Sequence, residues 1–342
     1  MTTEQMKEWF KLTDDNRRNI FEDIARRKSL PEVAAVEKDW WVVRTLQIIF
    51  QTEIAPHTVF KGGTSLSKAW NLIDRFSEDI DLALDRKFLG FDKIDAKMTS
   101  SQVTKLRKIS CKYIAEKYLP LLEGAFKNSG FSNVKLQLSE IKSTDEDPIK
   151  IEVIYPSVTK KSEYLPSSVL IEIGSRSEKE PFSLAQFSSF VGEYFQGRNF
   201  ADGSIAIPTV NPERTFLEKI FLLHEEFQQP TGKARVERKS RHLYDLEKLM
   251  DTDYRRKALE DKTLYQHIVA HRKTFTPLRG IDYANHAPNK INPIPPDHLI
   301  AAWKKDYEQM QQSMIYRESL SFEKLIERIQ QLKTIIHQFK ID

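Results

Sequence analysis

The spacing of apolar residues changes character near residue 210, and the change predicts how the chain is organised. Residues 14–27 read as a short amphipathic helix with Ile20, Phe21 and Ile24 on one face. A longer helix over residues 32–51 carries Val36, Trp40, Val43, Leu46, Ile49 and Phe50. In that setting the Trp40-Trp41 pair predicts core packing rather than a stacking platform, because an apolar helix face is what a fold buries. Residues 58–60 form a short strand entering the pair Gly62-Gly63; residues 64–74 predict a helix, and residues 78–84 a strand by their alternation. A helical stretch over residues 101–128 is interrupted near Pro120. Three strand-like runs follow, at residues 134–138, 149–153 and 169–173, the last apolar except for Glu172. From Pro212 onward the pattern is nearly all helical, with a proline-rich loop over residues 276–297. The expectation is an α+β domain over residues 1–210 followed by a helical domain over residues 211–342.

Composition narrows the class. The 342 residues are 40% apolar and 30% charged, enough for a sizeable core and too apolar for a disordered chain. A net charge of +4 permits a polyanionic partner without requiring one. Cys111, the single cysteine, excludes an intrachain disulfide framework and a multi-cysteine zinc site. No run approaches the ~18 apolar residues of a membrane span, and the charged N-terminus lacks the apolar stretch of a signal peptide. A soluble, cytoplasmic protein with no membrane partner is expected.

The informative segment is residues 60–84, FKGGTSLSKAWNLIDRFSEDIDLAL. Adjacent glycines let backbone N–H groups approach a phosphate, and a helix starting at Thr64 or Ser65 would point its positive end at the same anion. On a strand, residues two apart share a face, so Asp79 and Asp81 point together while Ile80 and Leu82 face the core. Paired hard carboxylates suit Mg²⁺, which takes one or two of them plus substrate phosphates. Each feature alone is common, as a turn or a solvated acid pair; the glycines, helix, strand and acids in succession are not. Two acids among residues that need burial would also be costly without a cation.

This series, Gly-Gly-Thr, helix, Arg-Phe-Ser-Glu-Asp-Ile-Asp-Leu, resembles the minimal nucleotidyltransferases of the DNA polymerase β superfamily, and more closely the AbiEii/MenT type of toxin nucleotidyltransferase. The resemblance extends to VEKDWWVVRTL (residues 36–46), LIEIGSRSEKEP (170–181), NPERTFLEKIFLLHEE (211–226) and SRHLYDLEKL (240–249). It implies a polymerase β-like α+β core, a mixed sheet with helices, followed by a C-terminal helical domain. It makes Gly62, Gly63, Thr64 and Ser65 the phosphate-binding turn and Asp79 and Asp81 the metal ligands. Lys219 matches the lysine that meets the nucleotide triphosphate, and Asp245 the acid of the last motif. Lys219 also suits that role as a point cation near a transferring phosphoryl group. The implied cofactor is Mg²⁺, or Mn²⁺, with an NTP as substrate.

Such sites add a third carboxylate from a neighbouring strand. Glu172 is favoured, since it sits mid-strand in a run too apolar for an idle acid; Glu152, on the polar face with Lys150, competes. Arg75, Ser77 and Arg176 are candidate phosphate or positioning contacts and equally candidate loop donors. His224 is not expected to be catalytic. Between the Lys219 and Asp245 motifs, Lys233, Arg235, Arg238, Lys239 and Arg241 stand against Glu237 alone. That cluster would suit an RNA backbone, or be simply a solvated loop. The resemblance thus implies a toxin that transfers NMP to RNA, such as the 3′ end of tRNA, with a cognate antitoxin encoded nearby. The alternatives are a small-molecule (antibiotic) nucleotidyltransferase and a non-catalytic nucleotide-binding module.

Overall fold

Three helices open the chain: α1 (Thr3–Lys11), α2 (Asp14–Lys28) and α3 (Val33–Ile49). They are seen in a computed structural model that describes residues 3–91, 98–160, 165–230 and 232–340. Thr13 starts α2 by accepting the Asn16 amide at 3.2 Å, and Ser29 ends it in the left-handed conformation. Then come β1 (Thr58–Lys61), α4 (Gly62–Lys68), β2 (Ile80–Leu84), α5 (Ser100–Tyr113) and α6 (Leu119–Asn128). Next follow β3 (Lys135–Leu138), β4 (Ile149–Ile154), β5 (Ser168–Gly174), β6 (Phe182–Phe187), α7 (Phe190–Tyr194) and β7 (Ile205–Val210). The remainder is helical: α8 (Pro212–Phe227), α9 (Arg241–Met250), α10 (Asp253–Glu260), α11 (Lys262–Phe275), α12 (Asp297–Ser313) and α13 (Phe322–Gln338).

The chain divides into two units. Met1–Asn71, Arg75–Asp92 and Thr104–Val210 make the first; Leu72–Asp74, Lys93–Val103 and Asn211–Asp342 make the second. In the first, the strands form one mixed sheet in the order β3-β4-β5-β2-β1-β7-β6. β2 lies at its centre, parallel to β5 and antiparallel to β1. Ile80, Leu82, Ile171, Ile173, Ile149 and Ile151 are all buried, while Asp81, Glu172 and Lys150 alternate with them onto the other face. The α+β class expected from the sequence is what the protein has.

In the second unit, Trp303 of α12 packs edge-on against Phe227 of α8 at 4.8 Å, and Tyr265 of α11 against Phe221 at 4.9 Å. Buried Glu225 on α8 takes Arg272 and His286 as partners, the latter at 3.0 Å. The loop expected over residues 276–297 is present, with two short 3₁₀ turns, Tyr283–His286 and Pro288–Lys290. Among the described residues no helix is long and apolar enough to cross a membrane.

Several boundaries differ from the sequence expectation, each for a local reason. The helix expected over residues 64–74 begins at Gly62 and ends at Lys68, and Asn71 beyond it has φ +50°. β2 begins at Ile80, so Asp79 stands on the approach to the strand rather than within it. The stretch over residues 101–128 is not broken at Pro120. A π-helical turn, Ile114–Tyr118, joins α5 to α6 and leaves Pro120 in the first turn of α6, where its missing N–H is tolerated. Strands β6 and β7 had no clear signal: β6 leaves Phe182 and Leu184 exposed, and β7 contains Pro208.

Candidate active site

In the first unit the glycine turn and the acids are built against each other. Gly62 has φ +81°, a conformation glycine adopts without strain. A Cβ on Gly62 would fall 2.0 Å from Oδ2 of Asp81, so the carboxylate occupies the space a side chain would fill. A Cβ on Gly63 would fall 2.7 Å from the Arg75 guanidinium and 3.1 Å from the Ser77 hydroxyl. Gly62 is therefore required by both its backbone and its packing, whereas a side chain at Gly63 would have to displace the tips of Arg75 and Ser77. Gly62→Ala is expected to displace Asp81, cost about 1–2 kcal/mol of stability through the left-handed backbone, and cut NMP transfer by about two orders of magnitude. Chemical denaturation alongside label transfer checks this; a variant with normal transfer would mean Asp81 can move without consequence.

The two hydroxyls that follow are turned into the fold. Ser65 donates to the Gly62 carbonyl at 2.8 Å. The Thr64 hydroxyl donates to the Asp79 carbonyl and lies 2.9 Å from Ser77 Oγ, tying the turn to the approach to β2. Both residues are buried. The turn's shape thus rests on Thr64 and Ser65, and Arg75 is likewise almost wholly buried beside it.

Strand register decides which acids are neighbours. Asp81 stands opposite Lys61 on β1 and beside Glu172 on β5, and Glu172 stands opposite Lys150 on β4. Residues so paired point to one face, giving a row of cation, acid, acid, cation across four strands. Lys150 Nζ is 2.8 Å from Glu172 Oε1. The pair, chiefly its hydrogen bond, raises the Lys150 pKa above the ordinary lysine value, and Asp79 adds to the effect. Glu152 is held differently, by Gln137 and Ser168, each at 2.8 Å. It pairs across β5 with Leu170 rather than with an acid. Arg176 lies beyond the end of β5, 3.7 Å from Asp147.

The helix α3 buttresses this turn through charges the sequence had hidden in an apolar-looking helix. Glu37, Lys38, Asp39 and Arg44 are all buried on it. Asp39 accepts the Phe190 amide at 2.7 Å and pairs at 2.8 Å with Lys68, the last residue of α4, whose ammonium also sits 4.1 Å over the Phe190 ring. Burial pushes the Asp39 carboxyl up to about 6, with Lys68 opposing it. Arg44 pairs with Asp202 at 3.0 Å. Trp40, stacked on Trp9 at 4.7 Å, is core, as its helical spacing predicts.

In the second unit, Lys219 on α8 and Asp245 on α9 form an ion pair at 2.8 Å, with side-chain exposures of 8% and 0%. His242, one turn before Asp245, brings Nδ1 to 3.4 Å from Lys219 Nζ. The sequence signal for His242 was its spacing of three from Asp245, which puts both on one helix face. His224 accepts the Asn292 amide at 3.0 Å, and burial drops its pKa to about 4, so it is neutral and structural. The basic segment is pinned rather than free. Arg235 pairs with buried Glu226 at 2.7 Å, and Asp306 accepts the amides of Arg238 and Ser240 at 2.6 and 2.9 Å.

Among the described residues no three His, Cys, Asp or Glu side chains converge as a ready metal cage. The donor set still fits Mg²⁺: Asp79 and Asp81 are hard oxygen donors, and this ion is ordinarily completed by water and substrate phosphate rather than by protein alone.

A mixed sheet thus sets carboxylates side by side next to a Gly-Gly turn. The chain belongs to the AbiEii family, described as nucleotidyl transferase AbiEii toxin, type IV TA system, whose match spans residues 44–328. It is similar to the Helicobacter pylori protein JHP933 at 16% identity, over 90% of this chain and 94% of that one, with a TM-score of 0.45. It is similar at 16% identity to MenT4, a nucleotidyltransferase toxin from Mycobacterium tuberculosis, over 92% and 98% of the two chains, with a TM-score of 0.43. None of the curated proteins compared with it matches the chain.

Proposed function

We propose that this nucleotidyltransferase moves NMP from an NTP to the 3′ end of an RNA, tRNA above all, in a Mg²⁺-dependent reaction that arrests growth until a cognate antitoxin relieves it. The observation that carries the reading is the placement of Asp81 against Gly62 and beside Glu172, with Asp79 just ahead of it. In the reaction, the acceptor hydroxyl oxygen bonds to the α-phosphorus, the α–β bridging bond breaks, and pyrophosphate leaves. Asp79 and Asp81 would hold the ion, which would offset the charge of the phosphates. Glu172 takes the hydroxyl proton. Backbone amides of the turn at Gly62 and Gly63, shaped by Thr64 and Ser65, cradle phosphate oxygens. Lys219, oriented by Asp245, meets the triphosphate.

The acceptor is tested by label transfer from each of four α-labelled NTPs into total cellular RNA at several salt concentrations. Affinity for RNA should fall with salt by about 0.7–0.9 per neutralised phosphate on a log–log scale. Because Arg235 and the Arg238 backbone are engaged within the fold, the informative change is Lys233→Gln, which should flatten the slope by roughly one unit. Labelling of a small hydroxyl- or amine-rich compound, with no RNA labelled from any NTP, would instead establish the small-molecule enzyme.

A further inference from the structure

We infer that Asp39 and Lys68 are positioning residues for NTP binding: their buried pair sets the Gly62-Gly63 turn at its working distance from the acids of the β2 segment. The inference rests on the reading of that turn as the phosphate cradle and goes beyond it to two residues outside the turn.

The chain runs from the turn through α4 to Lys68, then through residues 69–77 to Glu78 and Asp79. Residues 69–77 form no helix and no strand of more than one residue, so regular hydrogen bonding does not carry the spacing between turn and acids. Part of that spacing is set from inside, by the Thr64 hydroxyl on the Asp79 carbonyl and by Arg75 and Ser77 behind Gly63. The rest comes from α3. Consecutive residues of this helix grip both ends of the irregular stretch. Lys38 donates to Glu78 and, at 3.2 Å, to the Pro166 carbonyl, while Asp39 takes Lys68 at 2.8 Å. All four of these paired side chains are at most 5% exposed.

Lys68 is held from more than one side. Asp39 comes from α3, and from α7 come the Phe190 ring, 4.1 Å from the ammonium, and Glu193 at 3.4 Å. Asp39 turns its second oxygen to the Phe190 amide at 2.7 Å. This fixes where α4 ends, and α4 has only 7 residues, so a shift at Lys68 is carried to the turn at its other end. Stability does not call for such a pair, since packed apolar residues in place of a buried ion pair often hold a fold as well or better. What the pair contributes is one defined geometry.

The test is equilibrium binding of each of four α-labelled NTPs in Mg²⁺ to the full chain, with a thermal melt on the same preparations. Lys68→Met with Asp39→Asn removes both charges and keeps an acceptor for the Phe190 amide. It should melt near wild type yet bind NTP about tenfold or more weakly, the scale expected of a misplaced binding group. Asp39→Asn alone should weaken binding in the same direction, which keeps the inference open to test if the double variant folds poorly. At saturating NTP, label transfer should fall much less than affinity, because the turn holds phosphate in the ground state and the transition state alike. The control is Arg44→Met with Asp202→Asn, which removes another buried pair of α3 and should leave NTP affinity at the wild-type value. Unchanged affinity in the Asp39 and Lys68 variants, or an equal loss in the Arg44 and Asp202 control, would overturn the inference and leave the pair a purely structural one. Failure of the underlying reading looks different: a wild type that binds no NTP, or a Gly62→Ala variant that binds it as well as wild type, removes both.

Discussion

Asp81→Asn should lower NMP transfer by about three orders of magnitude or more while leaving the protein folded, and Asp79→Asn should do the same. The amide keeps the shape of the carboxylate, so the fit of residue 81 against Gly62 survives. What is lost is charge. A neutral amide cannot hold a divalent ion against the repulsion of a triphosphate, and no other side chain on β2 replaces it. Stability should hardly move. Asp81 stands beside Glu172 on one side and opposite Lys61 on the other, so relief of a like-charge contact and loss of an attraction offset, and the thermal midpoint of Asp81→Asn should stay near that of wild type. Label transfer and a thermal melt on the same preparations separate the two effects. A soluble, folded Asp81→Asn protein that transfers at the wild-type rate in Mg²⁺ sinks the assignment.

What the sequence made legible was local. Residues 60–84 carry the turn, the short helix and both aspartates within one continuous segment, so composition and alternation suffice to set them out. The third acid was another matter. Glu152 and Glu172 both read as an acid on a strand, and only the pairing of β2 with β5, across some ninety residues of chain, sets Glu172 beside Asp81. Lys150 comes into view by the same register and by no local feature. The charges of α3 were masked for a related reason. Their partners lie on distant segments: Glu37 accepts the Val158 amide at 2.8 Å, and Asp39 that of Phe190 at 2.7 Å. A one-dimensional pattern takes such residues for a solvated face. Strands β6 and β7 escaped for different reasons: β6 is an edge strand that leaves Phe182 and Leu184 exposed, and β7, although its burial alternates, is interrupted by Pro208.

Lys219 is expected to carry two separable roles, and its pairing with Asp245 allows them to be told apart. Lys219→Met should lower kcat/KM by about two to three orders of magnitude, as for loss of a charge-assisted contact to phosphate. It should also destabilise the protein by about 3–5 kcal/mol, because Asp245, with no exposed side-chain surface, loses the ammonium 2.8 Å away and stays as a buried charge. A drop in activity from this variant alone is therefore ambiguous, since a loosened α8–α9 pair would produce it too. Adding Asp245→Asn removes the stranded charge. The double variant should regain about 2 kcal/mol or more of the lost stability, the coupling expected of a buried pair in direct contact. Activity should not return with it, because the neutral pair offers no cation to the triphosphate. Urea denaturation gives the stability leg of this cycle and NTP-dependent label transfer the other. If activity recovers in the double variant in step with stability, Lys219 serves only to neutralise Asp245, and the triphosphate is met by some other cation.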